Sequence, residues 1–158
     1  MKNIWAPWRM DYVSNPEKDE DCIFCKKAND KDDEANYVLL RGKYSFVLLN
    51  IYPYNNGHLM VTPYRHIADF TDLSDDELSE IFKLIKISKK KLEIALNPEG
   101  FNIGLNIGAA AGAGIKDHIH FHIVPRWVGD TNFMPLLSDT KVLSQSLTEL
   151  YRLLKSDE

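Results

Sequence analysis

The alternation of polar and apolar residues from Asp117 to Trp127 is typical of a β-strand. Three histidines alternate there with Ile119, Phe121 and Ile123, and side chains two residues apart share one face of a strand. At ~3.3 Å per residue, the imidazoles would follow one another at intervals of about 6.6 Å. A purely structural strand would not need three titratable rings on one face, so this face is predicted to carry chemistry. The three histidines are His118, His120 and His122.

Short apolar runs bounded by turn residues predict further strands over 37–41, 44–50 and 58–63, and alternation predicts another over 101–107. The run Phe46 to Leu49 is continuously apolar, which is typical of a strand covered on both faces. Pro125 is expected to close the histidine strand, because proline cannot continue a central ladder. Residues 26–34 are charged and are expected to form a loop.

Two helices are predicted. Ser74 and Glu77 have the spacing of a capping box, and the helix that follows is expected to run to about Leu96. A second amphipathic helix is expected from about Asp139 to Lys155. The predicted buried face of the first helix consists of Leu78, Ile81, Phe82, Ile85 and Leu92.

The elements together predict an α+β domain in which about five antiparallel strands pack against one long central helix, with a further helix at the C-terminus. At 158 residues the chain is expected to form a single domain over 1–158. Residues 1–20 are expected to form an irregular arm. Its rings at Trp5, Trp8 and Tyr12 would be tied against the body or a second subunit.

Composition restricts the partners. A formal charge of −4 argues against broad binding of nucleic acid but permits a local anion site. No apolar run approaches the ~20 residues that span a bilayer, so no membrane partner is expected. The first residues lack the pattern of a signal peptide, and a cytoplasmic location follows as the expectation. Two cysteines, Cys22 and Cys25, fit half of a metal site, a redox pair, or two buried reduced thiols.

Three histidines on one face can bind a catalytic metal, or one of them can act as a nucleophile while its neighbours handle protons. The loop Gly108 to Gly114 contains only glycine and alanine. Its backbone N–H groups can approach an anion closely, and only three residues separate it from His118. This pairing favours phosphoryl or nucleotidyl transfer over attack by a metal-bound water.

The run His118-Ile119-His120-Phe121-His122-Ile123-Val124 resembles the signature of the histidine triad (HIT) family of nucleotide hydrolases and transferases. The block Gly57 to Pro63, with Asn50 and His66, resembles the family's upstream block. Segments 5–9, 22–25 and 124–130 resemble a bacterial branch of diadenosine tetraphosphate phosphorylases and hydrolase-like proteins. The resemblance implies the HIT-like fold over the whole chain.

The resemblance also implies roles for individual residues. His120 would attack the α-phosphorus and carry a nucleotidyl intermediate, and His122 would contact the scissile phosphate and transfer a proton. His118 would support the geometry. One departure concerns the loop before the triad, where other branches often place a Gln, Ser or Thr and this chain offers only backbone. The implied nucleotide-binding residues are Asn50, His58, Asn106, Gly112, Ala113, Gly114 and Trp127.

Members of the family also imply a structural zinc bound by Cys22, Cys25, His66 and His118, and a homodimer. The implied substrate is an AMP-containing dinucleoside polyphosphate cleaved at its α-phosphate. Three alternatives are also compatible with the sequence. They are a nucleoside phosphoramidate hydrolase, a metalloenzyme with zinc on all three triad histidines, and a nucleotide-sensing module with little turnover.

Overall fold

The computed structural model describes residues 22–130 and 143–156. Helix α1 spans Ile23–Asn29, α2 spans Asp75–Leu96 and α3 spans Leu147–Ser156. The strands are β1 (Val38–Arg41), β2 (Ser45–Leu49), β3 (Leu59–Pro63), β4 (Gly100–Leu105) and β5 (Phe121–Arg126). Single turns of 3-10 helix lie at Phe70–Asp72 and Ala109–Ala111.

The strands form one five-stranded sheet in the order β1-β2-β3-β5-β4. Every neighbouring pair is antiparallel, and Met60 of β3 lies opposite His122 of β5. This architecture confirms the predicted α+β class, with its antiparallel sheet, long central helix and C-terminal helix. It places the histidine strand between β3 and β4, one strand in from an edge of the sheet.

Both faces of the sheet are covered. One face packs on α2 and α3 through alternate strand residues such as Val47, Leu59 and Ile123. The opposite face carries Phe46, Leu48 and Met60, which pack around Phe24 of α1. The continuous apolar run of β2 therefore does serve a strand covered on both sides. Because His122 pairs with Met60, the catalytic candidates share the face on which α1 lies.

Helix α2 begins as the sequence predicts. Ser74 is the N-cap and forms a complete capping box with Glu77. Ile81, Ile85 and Leu92 are buried, but the prediction for Phe82 is wrong, because its side chain is 54% exposed. One residue along a helix turns the side chain by about 100°, which carries Phe82 out of the stripe that Ile81 begins.

Other boundaries also differ from the prediction. Residues 23–29 form a helix although the chain from Lys26 onward was expected to be a loop. Strand β5 continues through Pro125 to Arg126. The proline is tolerated because β3 pairs with β5 only as far as Ile123, so beyond that residue β5 has a single neighbour, β4.

The C-terminal helix begins at Leu147, eight residues later than the expected start at Asp139. The first residues of the predicted span, 139–142, lie outside the described residues. Ser146 and Glu149 exchange the two hydrogen bonds of a capping box, which fixes the start of the helix. The predicted aromatic arm also lies outside the described residues. In the part of the chain that is described, no helix is long and apolar enough to cross a membrane.

Candidate active site

All five histidines gather around α1 and the adjoining end of β5, in two groups. His58, His120 and His122 form the first group, with ring centroids 4.8 Å apart for His120 and His122 and 5.0 Å apart for His58 and His122. His66 and His118 form the second group together with the two cysteines. Only His122 lies within β5, because regular pairing begins at Phe121.

The hydrogen bonds of His58 define where its proton lies. Its Nδ1 accepts the backbone N–H of Tyr54 at 3.0 Å, and a backbone N–H can only donate. The proton of neutral His58 is therefore on Nε2, which lies 2.8 Å from Nδ1 of His122. Since His122 accepts at Nδ1, its own proton is on Nε2. Among the described residues that buried Nε2 has no partner, so it is a donor available to a ligand.

His120 is fixed in the opposite sense. Its Nδ1 lies 2.9 Å from the carbonyl oxygen of His118, which can only accept. The proton of His120 is therefore on Nδ1, and Nε2 carries a lone pair. Phe24 packs beside this ring with centroids 5.0 Å apart. An imidazole oriented in this way, with an unprotonated Nε2, is prepared to act as a nucleophile.

Burial keeps these rings uncharged. Desolvation, with smaller contributions from His122 and His120, lowers the pKa of His58 to about 3. Desolvation followed by the charge of His120 lowers the pKa of His122 to about 4. Desolvation also lowers the pKa of His120, against the opposing effect of its bond to the His118 carbonyl. The cluster is therefore neutral at pH 7, as a nucleophilic imidazole requires.

A cavity of about 430 Å³ opens beside the histidines. His120, His122 and Gly114 contribute polar groups to its wall, and Asn50 follows the end of β2. Most of the remaining wall is apolar, with aromatic and aliphatic side chains on several elements. An apolar slot with a few convergent polar groups is the form that small-molecule sites take. Its apolar lining includes Ile23, Phe24, Leu48, Ile51, Tyr54, Met60 and Ile115.

The second group has the composition and spacing of a closed metal site. One ligand atom from each of Cys22, Cys25, His66 and His118 lies within 4.8 Å of the others. Nδ1 of His118 is 3.2 Å from the sulfur of Cys22 and 3.6 Å from that of Cys25, and Nδ1 of His66 is 3.4 Å from Cys25. Sulfur and nitrogen ligands on a tetrahedral zinc are expected about 3.6 Å apart. The group can therefore bind a metal ion.

His118 is already in the tautomer that a metal needs. Its Nε2 lies 2.9 Å from the carbonyl of Pro63, which places the proton on Nε2 and leaves Nδ1 as a lone pair facing the sulfurs. Its own carbonyl accepts the Nδ1–H of His120. His118 therefore links the candidate metal site to His120: its ring faces the cysteines, and its carbonyl holds the ring of His120.

The structure brings some of the predicted nucleotide-binding residues to the cavity and not others. Asn50 and Gly114 lie on its wall, and His58 stands behind His122. Gly112 ends the 3-10 turn, and the N–H of Ala113 donates to the carbonyl of Gly108 within the loop. Asn106 and Trp127 are not among the residues that line this cavity. The indole N–H of Trp127 donates to the carbonyl of Asn97.

Sequence reasoning missed two aromatic contributors. Tyr54 packs on His58 and His122, with ring centroids 4.5 Å and 5.4 Å away. Phe24 contacts both His118 and His120. Tyr54 lies in the loop between β2 and β3, and Phe24 lies between the two cysteines. Both could have been identified from the sequence, because Tyr54 lies close to His58 and Phe24 lies within the cysteine pair.

The HIT domain family matches residues 32–128 of the chain. Over 99% of this chain and 84% of the relative, the sequence is 37% identical to an AP-4-A phosphorylase of Mycobacterium tuberculosis. An adenosine 5'-monophosphoramidase of Schizosaccharomyces pombe is 37% identical over 66% of this chain and 74% of the relative. The crystal structure of a Zn-bound histidine triad family protein from Mycobacterium smegmatis superimposes with a TM-score of 0.69 at 28% identity, covering 87% of this chain and 92% of that one. The chain belongs to the HIT domain family.

Proposed function

We propose that this protein is a nucleotidyl hydrolase or transferase that cleaves dinucleoside polyphosphates at the α-phosphate through a covalent intermediate on His120. The observation that carries the proposal is the fixed pair of tautomers in the cavity. Nε2 of His120 bears a lone pair, and the neighbouring Nε2 of His122 bears a proton. A nucleophile and a proton donor on one wall are what displacement at phosphorus requires.

For diadenosine tetraphosphate the steps balance as follows. Nε2 of His120 attacks one α-phosphorus, the bond from that phosphorus to the bridging oxygen breaks, and ATP leaves. The N–H of His122 donates to the bridging oxygen as negative charge develops on it. Water then attacks the phosphorus and releases AMP, or inorganic phosphate attacks and releases ADP. Either attack returns the imidazole of His120.

The substrate class is supported by the AP-4-A phosphorylase that matches 99% of this chain. The cavity of about 430 Å³ is large enough for one nucleotide unit, and Asn50 on its wall is proposed to bind a ribose hydroxyl. Gly114 lies on the same wall as the histidines, and its backbone N–H is the proposed donor to the phosphate. The phosphate is therefore proposed to lie between Gly114 and the two imidazoles.

The direct test is to trap the intermediate. Protein mixed with diadenosine tetraphosphate and quenched in denaturant should gain the mass of one AMP unit, located on the peptide that contains His120. The His120→Ala variant should bind AMP but give no adduct and no turnover. Near-normal turnover by that variant would refute covalent catalysis at His120. The product formed with and without phosphate then assigns phosphorolysis or hydrolysis.

A phosphoramidase activity is the second candidate, because an adenosine 5'-monophosphoramidase shares 37% identity with this chain. The first step would be the same attack by His120, with an amine instead of ATP as the leaving group. An amine must gain a proton to leave, so the rate would depend more strongly on proton donation by the N–H of His122. Comparing kcat/KM for an adenosine phosphoramidate and for diadenosine tetraphosphate distinguishes the two substrates.

A catalytic zinc on all three triad histidines has less support. Nδ1 of His118 faces the cysteines, whereas Nδ1 of His122 and Nδ1 of His120 are engaged in hydrogen bonds within the catalytic group. We propose instead that Cys22, Cys25, His66 and His118 bind a structural zinc. Metal analysis of protein purified without added zinc should give about one equivalent. The reduced thiolates that this requires fit the proposed cytoplasmic location.

A homodimer is proposed through strand β4. This strand is one of the two edges of the sheet, and Ile103 on it is 44% exposed, while Phe82 on α2 is 54% exposed. An exposed edge with apolar side chains is a template for a second chain. Light scattering should give twice the chain mass of 18.2 kDa, and Ile103→Lys should shift it toward the monomer. A monomeric wild type would refute the proposal.

A further inference from the structure

A buried side chain ties the loop of residues 50–58, between β2 and β3, to the end of β5. Asn55 is 6% exposed. Its Nδ2 donates to the carbonyl oxygen of Pro125 at 2.9 Å and to Oδ2 of Asp130 at 2.8 Å. Strand β3 pairs with β5 only as far as Ile123, so Asn55 supplies a donor to β5 two residues beyond that pairing. The 50–58 loop is therefore held at its middle as well as at its ends.

Asp130 is the anchor of this contact. Its side chain is 7% exposed. The carboxylate accepts from Nε and Nη2 of Arg126 at 2.6 Å and 2.9 Å, and from the backbone N–H of Trp127 at 3.2 Å. An ionised carboxylate is an acceptor only, so it can take these donors and the amide of Asn55 together. Asp130 is thus fixed by its own neighbours and can hold the loop in place.

The 50–58 loop carries the groups that orient the catalytic histidines. The backbone carbonyl of Asn55 accepts the N–H of His58 at 3.3 Å, and the N–H of Tyr54 donates to Nδ1 of His58 at 3.0 Å. The Tyr54 N–H places the proton of His58 on Nε2, which in turn places the proton of His122 on its own Nε2. Hydrogen bonds weaken steeply as their geometry departs from ideal. A shift of the backbone at Asn55 would therefore loosen the adjoining bond that sets both tautomers.

We propose that Asp130 is a positioning residue that keeps the proton of His122 on Nε2, where it can be given to the leaving group. It acts through Asn55, which holds the Tyr54 N–H against His58. Asp130 is not among the residues that line the cavity, so its effect on the reaction is indirect. The kinetic part of this inference rests on the proposed function, because it assumes that His122 donates a proton. The tautomer of His122 is a property of the free protein.

Two substitutions break the contact and one keeps it. Asn55→Leu keeps the branching of the side chain but has no N–H donor, and Asp130→Ala removes the acceptor. Asp130→Asn can leave its carbonyl oxygen at the position of Oδ2 and lose only the bond to Nη2 of Arg126, an exposed side chain that can turn to water. Asp33→Ala is the matched control. Asp33 also pairs with an arginine, Arg41, but it lies before β1, at the other edge of the sheet.

The first measurement is ¹⁵N NMR of the histidine rings in the metal-loaded full chain without nucleotide. The wild type, Asp130→Asn and Asp33→Ala are expected to show His122 protonated at Nε2. Asn55→Leu and Asp130→Ala should show a mixture of the two tautomers. Because no substrate is present, this measurement reports the positioning effect alone.

The second measurement compares kcat for two substrates that share one AMP unit. An adenosine phosphoramidate releases an amine, which needs a proton to leave, whereas adenosine 5'-(4-nitrophenyl phosphate) releases a phenolate, which does not. Asn55→Leu and Asp130→Ala should lower kcat about tenfold on the phosphoramidate and less than about threefold on the nitrophenyl ester. Asp130→Asn and Asp33→Ala should stay within about threefold of the wild type on both. The double variant should lose no more than the slower single variant, because both changes remove one contact.

The results distinguish this inference from the proposed function. A wild type with the proton of His122 on Nδ1 would overturn the role of Asp130, and so would disrupting variants that keep it on Nε2. Equal losses on both substrates would also overturn it, since general damage to the fold slows both reactions alike. If the wild type cleaves neither substrate, the proposed function fails, while the NMR result still decides the role of Asp130. The two disrupting variants are independent, so one suffices if the other does not fold.

Discussion

The hydrogen bond from His58 to His122 should control catalysis through the tautomer of His122. Replacing His58 with leucine removes the donor to Nδ1 of His122 at 2.8 Å and the acceptor of the Tyr54 N–H at 3.0 Å. Each group left without a partner costs ~1–3 kcal/mol, and the Tyr54 N–H is only partly buried. The free energy of unfolding is therefore expected to fall by about 2–3 kcal/mol.

The rate should fall because the substitution removes the proton from Nε2 of His122, the nitrogen that faces the leaving group. In His58→Leu, His122 is free to carry its proton on Nδ1 and to present a lone pair to the leaving group. A positioned proton donor contributes ~10²–10⁴-fold, so kcat should fall about 10- to 100-fold with little change in KM. His58→Gln keeps an N–H donor near the position of the original Nε2, and its kcat should fall less than about fivefold.

Three measurements test the predicted effects of His58→Leu. Steady-state kinetics give kcat and KM, chemical denaturation gives the free energy of unfolding, and ¹⁵N NMR of the imidazoles reports the tautomer of His122. The reasoning is refuted if His58→Leu turns over at the wild-type rate. It is equally refuted if His122 keeps its proton on Nε2 in that variant while the rate falls.

Three further predictions concern stability and the metal site. Gly57→Ala should lower the free energy of unfolding by about 2–4 kcal/mol, since Gly57 has φ +80 and a Cβ would lie 2.7 Å from a leucine of α2. Gly112→Ala, at φ +85 and ψ 18 in open space, should cost only about 1 kcal/mol in the same denaturation assay, and equal losses would contradict the packing argument. The Arg65 hydrogen bonds lower the pKa of Glu77 from 4.5 to about 2. Its stabilisation of about 2–3 kcal/mol is therefore complete above pH 4.5 and lost as the pH falls toward 2, and Glu77→Gln should flatten that dependence in acid titrations. Cys22→Ser, or chelation of the wild type, should lower Tm and weaken AMP binding together; AMP affinity unchanged after metal loss would contradict the proposed contribution of α1 to the cavity.

Local patterns allowed most of the fold to be predicted. The capping box at Ser74, the turn residues between strands and the alternation around His120 depend on neighbours in the sequence. Helix α1 was missed because its seven residues are too few to show a helical period, and it is held by the burial of Phe24. Phe82 was misplaced because the hydrophobic stripe of a long helix is wide enough to include residues at its margin.

For the candidate site, the residues could be predicted from the sequence but their contacts could not. The triad histidines and the cysteine pair stand out by spacing, but the contacts that give them roles join distant parts of the chain. His58 reaches His122 across 64 residues, and Cys22 reaches His118 across 96. Resemblance to a family pointed to these residues, whereas their tautomers follow only from backbone carbonyls and N–H groups placed by the fold. No sequence pattern states which carbonyl a ring nitrogen will meet.

Helix α1 has a consequence for the dynamics of the site. An isolated helix needs ~12–15 residues to be even marginally stable, and α1 has seven. Its attachment to the sheet depends on the burial of Phe24 and on the contacts of Cys22 and Cys25 with His66 and His118. This segment is therefore expected to open at a lower free energy than the sheet, and its amides should exchange with solvent first. One wall of the cavity is thus a unit of low local stability that opens before the sheet unfolds.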